Sequence, residues 1–163
     1  MKSKVSTRTR MLAGLLALIL PLAAGAVPVV PGASLPPLSL EDQHGKTVST
    51  RAGTRIVLFA ADKAGSDLIN EVLAAQPAGV LGTLNAVYFA DISAMPALVT
   101  RMFALPALRE MPFAVGLGRD ATQLADLPRQ KGAATILRVA DGKVTTIEYA
   151  HNAGQLMQAI GLK

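Results

Sequence analysis

One short loop holds the side chains whose types could do chemistry. Residues 62–67 (DKAGSD) follow the apolar run "VLFAA", precede an amphipathic pattern, and offer two carboxylates, one ammonium and one hydroxyl. The chain has no cysteine, and neither of its two histidines lies near this loop or in metal-ligand spacing. Ser66 has only Lys63 as a basic neighbour in the sequence, which is a weak signal for nucleophilic catalysis. We therefore predict no catalytic residue and no metal site, and interpret Ser66 and Asp67 as a helix N-cap and an acid that complements the helix dipole.

A second pattern could bind a nucleotide. Gly116, Gly118 and Ala121 match G-x-G-x-x-A, the turn that approaches a pyrophosphate in dinucleotide-binding folds, and Asp141 follows at a suitable distance. Such a fold needs several further strand-helix units, and too little chain follows Ala121 to form them. An ordinary strand-to-helix turn in which Asp120 caps the helix is the preferred interpretation. An oxidoreductase or cofactor-binding protein with a nucleotide or flavin at this turn stays open as the alternative.

The first residues have the pattern of an export signal. "MKSKVSTRTR" is basic and carries no acid, and "MLAGLLALILPLAAGA" is apolar and ends in small residues. The apolar run is short for a membrane span and contains Pro21. We predict a signal peptide over residues 1–26, cleavage after Ala26, and a periplasmic or secreted protein whose membrane contact is limited to the signal peptide before cleavage.

The basic charge of the chain does not indicate nucleic-acid binding. The formal net charge is +5, but four of the sixteen basic residues precede Met11. The rest of the chain is nearly balanced, and with two tyrosines, four phenylalanines and no tryptophan it offers few stacking platforms. We expect no nucleic-acid partner.

The remaining chain predicts a Pro-rich extended tether over 27–37 and one domain over 38–163. Its predicted strands are a hairpin with a turn at 43–46, two buried runs at 54–61 and 85–92, a short strand at 112–117, and a closing pair joined at 140–142.

Four helices complete the predicted order. One follows the loop 62–67, one starts at Ser93, a brief one starts at Asp120 and stops at Pro128, and the last is capped by Asn152. The second helix carries an apolar stripe on one face, formed by Leu98, Val99, Met102 and Phe103. This alternation predicts an α/β fold with a mixed sheet, helices on both faces and an N-terminal β-hairpin.

From about Leu38 to Leu162, the sequence resembles the thioredoxin-like superfamily, in particular its exported peroxiredoxin- and thioredoxin-type branch. The resemblance is carried by "LEDQHGKTVS", "RIVLFAADKAGSDLINEVL" and "GAATILRVADGKVTTIEYAHNAGQLMQAI". It implies that Ala64-Gly65-Ser66-Asp67 stands at the place of the Cys-x-x-Cys pair. It also implies that Ala134 stands at the place of the cis-proline and Leu58 at that of the buried acid.

The resemblance thus implies a member of the superfamily that kept the scaffold and lost the redox pair. We expect no thiol-disulfide oxidoreductase or thiol peroxidase activity and no cofactor. The favoured hypothesis is a non-catalytic binding or assembly protein of the cell envelope that holds an unknown protein or peptide. The predicted binding groove consists of Lys63, Ala64, Gly65, Ser66 and Asp67, with Ala134 across from them.

Overall fold

The computed structural model describes residues 27–162, so the predicted signal peptide lies outside the described residues. The strands are β1 Ser39–Glu41, β2 Thr47–Ser49, β3 Ile56–Ala60, β4 Ala86–Asp91, β5 Gly116–Gly118, β6 Ala134–Ala140 and β7 Lys143–Ala150. The helices are α1 Lys63–Ala74, α2 Val80–Thr83, α3 Ala97–Val99, α4 Leu105–Arg109 and α5 Ala153–Ile160, with a π-helical turn, Thr100–Ala104, between α3 and α4. Across 27–162, every helix is too short or too polar to traverse a bilayer.

Five strands form a mixed sheet in the order β5-β4-β3-β6-β7, and β1 and β2 form a separate antiparallel hairpin. β3, β4 and β5 run parallel to one another, whereas β6 is antiparallel to β3 and β7 to β6. All five residues of the central strand β3 are buried, because the sheet is covered on both faces. The predicted α/β fold with a mixed sheet and an N-terminal hairpin is confirmed. The expected helices on both faces are wrong, because the buried residues of α1, α2, α4 and α5 all belong to one core.

Alternate residues of β3 enter two separate cores. Leu58 packs on the face covered by α1 and α5, together with Ile69 and Leu156. Phe59 packs on the opposite face, which is covered by the β1–β2 hairpin, the N-terminal segment and the turns before Pro128. The predicted brief helix after Asp120 is wrong: this stretch is a series of turns.

The Pro-rich segment 27–37 does not extend away from the domain as a tether. Val29 is 6% exposed and packs in the second core, while Gly32 and Leu35 donate backbone hydrogen bonds to Val144 and Gly142. Ser34 forms an antiparallel bridge with Lys143 at the edge of β7. The residues between the prolines keep their N–H groups, which bond to the edge of β7. The extended segment can therefore pack on the sheet without forming a full strand.

The turn signals of the two hairpins and the cap of α5 are confirmed. Gly45, in the β1–β2 turn, has φ of 78°, and Asp141 and Gly142 both have positive φ in the β6–β7 turn. The Asn152 side chain accepts a hydrogen bond from the Gln155 N–H and caps α5 as predicted.

The helical segment 97–109 differs from the prediction in its start and its surroundings. It begins after Pro96 rather than at Ser93. Pro106 has no N–H to continue the α-helical ladder, and the π-helical turn lies directly before it. The four residues of the apolar stripe are exposed, by 67% at Leu98, 41% at Val99, 57% at Met102 and 65% at Phe103. They cover no core of the described chain.

Candidate functional site

Asp62 caps the N-terminus of α1 and is separated from the end of β3 by one residue, Ala61. Asp62 Oδ1 accepts the Gly65 N–H at 2.9 Å, and Oδ2 accepts the Gly132 N–H at 2.6 Å. The predicted N-cap, Ser66, lies inside the first turn instead. Because an aspartate is as good a cap as a serine, sequence alone could not tell which of the two residues would cap the helix. Asp62 therefore links the start of α1 to the loop before β6.

The surroundings of Asp62 keep it ionised. Burial raises the pKa of its carboxyl. Hydrogen bonds from the N–H groups of Gly132, Gly65 and Ala64, together with the charge of Lys131, lower this pKa by a larger amount. The net result is a pKa below the ordinary value of 3.8. A carboxylate that accepts backbone N–H groups at a helix start is favoured in its charged form.

Gly65 marks the closest approach between α1 and the loop before β6. A Cβ at this position would lie 2.5 Å from the Ala133 carbonyl oxygen and 3.5 Å from the Ala134 nitrogen. Ala134 is fully buried in β6, where it pairs with Ala60 and Ala150. Its assignment to the binding groove is therefore wrong, because two strands enclose it. Gly65 is also buried and faces this loop.

Ser66 faces the interior. Its hydroxyl is 3.1 Å from the Tyr88 hydroxyl and 3.4 Å from Asn70 Nδ2. Burial raises the pKa of the Tyr88 phenol, the Ser66 hydrogen bond opposes this, and the charge of Asp67 adds to it, so Tyr88 is a neutral hydrogen-bonding group. Asn70 Oδ1 is buried and has no hydrogen-bond partner within the described residues.

A groove of about 300 Å³ opens between the first turns of α1 and the helical segment 97–109. We call it the α1 groove. Its polar wall consists of Asp62, Lys63, Ser66, Asp67, Asn70 and Asp91. The apolar wall and floor consist of Ala90, Ile92, Met95, Val99, Phe103, Ala104, Ala107, Leu108 and Met111.

Of the six predicted groove residues, Lys63, Ser66 and Asp67 line the α1 groove, whereas Ala64, Gly65 and Ala134 do not. Lys63 and Asp67 form an ion pair one helical turn apart, with side chains 80% and 60% exposed. Such an exposed pair contributes little to stability and leaves both groups free to exchange partners. The sequence analysis missed the apolar wall, because helical spacing shows that Val99 and Phe103 share a face but not what that face adjoins.

Arg129 holds the loop before β6 against the sheet. Its guanidinium donates to Asp91 Oδ2 at 3.0 Å and to the Leu124 carbonyl at 2.8 Å, and lies 5.4 Å from the centre of the Phe59 ring. The other oxygen of Asp91 accepts from the backbone and hydroxyl of Ser93. Asp91 is thus fully engaged at the edge of the groove.

The G-x-G-x-x-A turn has no space for a phosphate. Gly116 and Gly118 lie inside β5, where added Cβ atoms would come within 2.5 Å of the Phe89 ring and 2.6 Å of Leu124. The backbone N–H groups of Arg119 and Asp120, which would face a phosphate, both donate to Gln123 Oε1. These glycines serve close packing.

The site has neither a sulfur nucleophile nor, among residues 27–162, a cluster of three His, Cys, Asp or Glu side chains that could hold a metal ion. Its shape and polarity suit the binding of an apolar side chain next to a polar rim.

Comparison with known proteins identifies the fold. The structure is similar to a peroxidoxin from Mycobacterium tuberculosis, with a TM-score of 0.53, 12% identity, and 82% of this chain and 95% of that chain covered. It is similar to a peroxiredoxin-like protein from Aquifex aeolicus, with a TM-score of 0.51, 9% identity, and 83% and 89% covered. It is also similar to the thioredoxin domain of a thiol-disulfide oxidoreductase from Bacteroides vulgatus, with a TM-score of 0.51, 11% identity, and 81% and 99% covered.

No protein-family model and no curated protein sequence matches the chain. The chain has a thioredoxin-like fold and no cysteine.

Proposed function

We propose that this thioredoxin-like protein is an exported, non-catalytic binding protein that holds a segment of a partner protein in the α1 groove. The observation that carries the proposal is the groove itself, which pairs an apolar wall with a polar wall at the start of α1. Ala64 and Asp67 occupy the positions at which the resemblance implies cysteines. The scaffold therefore keeps a recess for a ligand and lacks the atoms for thiol exchange.

The size of the groove favours a single anchoring side chain. A volume of about 300 Å³ lies at the lower end of small-molecule pockets, which span roughly 300–1,000 Å³. One Leu, Met or Phe side chain of a partner would pack between Met95, Met111 and Phe103. Burial of such a side chain contributes roughly 1.5–3 kcal/mol, enough for an anchor in a weak, exchangeable complex.

The polar wall supports recognition of a peptide backbone beside that anchor. Ser66 and Asn70 line the groove, and hydroxyl and amide groups of this kind hydrogen-bond to the backbone of a bound segment. Lys63 and Asp67 supply one charge of each sign at the rim.

Export to the periplasm or the cell exterior is part of the proposal, and the basic and apolar pattern of residues 1–26 supports it. A nucleotide- or flavin-dependent function has no comparable support, since the glycines of the candidate turn are packed against side chains. Absorbance of the purified protein at flavin and nicotinamide wavelengths checks this alternative directly.

The experiment fills the groove without touching the core. Ala107 lines the α1 groove and is exposed, so Ala107→Trp adds a large side chain to the recess. Ala121→Trp makes the same change at an exposed turn outside the groove and is the matched control. The probe is a synthetic array of extended peptides, each with one central Leu, Met or Phe, and controls in which Ser replaces that residue.

We expect the wild-type protein and Ala121→Trp to bind apolar-centred peptides and Ala107→Trp to lose this binding by tenfold or more, with similar melting temperatures for all three. Peptide binding that survives in Ala107→Trp would reject the groove as the binding site. Absence of any difference between apolar-centred and Ser-centred peptides would reject the proposed anchor.

A further inference from the structure

We propose that the helical segment 97–109 docks the protein on an anionic lipid surface, a role that goes beyond peptide binding in the α1 groove. From the sequence we expected membrane contact only through the signal peptide, and we noted an apolar stripe on one face of this helix. In the structure, this face is open.

The apolar part of the surface is concentrated on one short segment. Leu98, Val99, Met102 and Phe103 make up four of the seven large apolar side chains that are exposed among residues 27–162. Leu98 and Met102, which do not line the α1 groove, are 67% and 57% exposed. Side chains of this kind on a single helical face insert into the boundary between headgroups and acyl chains.

Basic groups lie beside the stripe. Arg101 on the π-helical turn and Arg119 after β5 line the same shallow cavity of about 470 Å³, together with Met95, Ala97 and Leu105. Neither guanidinium forms an ion pair within the described part of the chain. Two unpaired guanidinium groups over an apolar cavity suit a lipid phosphate.

The balance of charge distinguishes a lipid surface from a protein partner. No Asp or Glu occurs from Ile92 to Arg109. The acid next to Arg119, Asp120, accepts hydrogen bonds from the backbone and hydroxyl of Thr122 through one oxygen, Oδ1. Asp91 and Glu110 adjoin this stretch, and Asp91 is engaged by Arg129 and Ser93. An apolar stripe with arginines beside it is typical of peripheral helices on anionic membranes.

The test measures co-sedimentation with vesicles. Wild-type protein, purified after export and with its N-terminus established by intact mass, is mixed with phosphatidylglycerol-containing vesicles and with phosphatidylcholine vesicles. One double variant, Leu98→Gln with Met102→Gln, removes the inserting side chains. A second, Arg101→Gln with Arg119→Gln, removes the positive charges. The control, Val30→Gln with Lys143→Gln, makes the same kinds of change at exposed positions elsewhere.

We expect binding to the anionic vesicles that weakens in high salt, and weaker binding to the neutral ones. Removal of both arginines should reduce partitioning roughly 30-fold, since each basic residue near an anionic surface contributes a factor of roughly five. The apolar double variant should lose at least about tenfold, and the control should bind like the wild type.

The proposal would be overturned by no binding to anionic vesicles, by equal binding to both vesicle types, or by binding that neither double variant reduces. If Leu98→Gln with Met102→Gln lowers peptide-array binding and leaves vesicle binding intact, the stripe belongs to a protein partner and the lipid proposal fails. Because these two residues lie outside the α1 groove, failure here leaves the Ala107→Trp result unaffected.

Discussion

Replacing Gly65 by alanine tests whether the start of α1 is set by its contact with the loop before β6. The new Cβ would lie 2.5 Å from the Ala133 carbonyl oxygen and 3.1 Å from its carbonyl carbon. The Cβ is fixed to the backbone of α1, and the atoms that it meets are backbone atoms, so no flexible side chain can move aside. Either the first turn of α1 or the loop must shift.

Gly65→Ala changes the free energy of unfolding in two opposing ways. The overpacked contact destabilises the protein by roughly 1–3 kcal/mol. The better helix propensity of alanine returns up to about 1 kcal/mol. We therefore expect Gly65→Ala to lower the free energy of unfolding by about 1–2 kcal/mol and the melting temperature by roughly 3–10 °C.

The matched control is Gly154→Ala in the first turn of α5. There, a Cβ meets only Asn152 Oδ1, at 3.5 Å, which is an ordinary contact. The same substitution should leave stability unchanged or raise it by less than about 1 kcal/mol. Urea unfolding of both variants, followed by far-UV circular dichroism, measures the difference. A Gly65→Ala variant as stable as Gly154→Ala would refute the argument from close approach.

Three further predictions follow from the same region. Asp62→Asn loses the acceptor of the Gly132 N–H, at a cost of about 1 kcal/mol near neutral pH. Because the pKa of Asp62 is lowered in the folded protein, its carboxylate stabilises the fold above pH 3.8, and this stabilisation is lost as the pH falls through the folded pKa. Urea titrations in acid should therefore give the wild type and Asp62→Asn the same free energy of unfolding. A difference that stays constant with pH would contradict this. Ser66→Ala leaves the buried Tyr88 hydroxyl without its partner and should cost about 1–3 kcal/mol, whereas adding Tyr88→Phe should recover part of that loss; strict additivity in the double-mutant cycle would argue against the pair. Intact mass should give a mature chain that starts at Val27, and a chain from the envelope that still starts at Met1 would disprove cleavage after Ala26.

The parts of the fold that sequence predicted are those set by local patterns. Continuous apolar runs predicted β3 and β4, because a strand buried on both faces has apolar side chains at consecutive positions. Asp141-Gly142 gave the β6–β7 turn because both positions need positive φ, and Asn152 gave the start of α5. These signals depend on neighbours in the chain.

The errors concern contacts between distant residues. Ala134 looks like any other small residue in sequence, and distant elements bury it: it pairs with Ala60 and Ala150 and belongs to the core under α1 and α5. Asp62 rather than Ser66 caps α1 because its second oxygen also binds Gly132, far along the chain. The exposure of Met102 and Phe103 could not be read from helical spacing, since an apolar stripe has the same spacing whether or not another element covers it.

The central position of β3 has a consequence for the order in which the chain can fold. One edge of β3 pairs with β4, which is the next strand in the chain. The other edge pairs with β6, so the partner of Ile56, Arg138, is synthesised much later. Until the C-terminal hairpin has been synthesised, an apolar strand therefore keeps an open edge that can aggregate. Because this pairing is non-local, it slows folding and leaves the newly synthesised chain unfolded for longer. Under the proposed export, a sheet whose centre is completed last favours translocation of the chain before it folds.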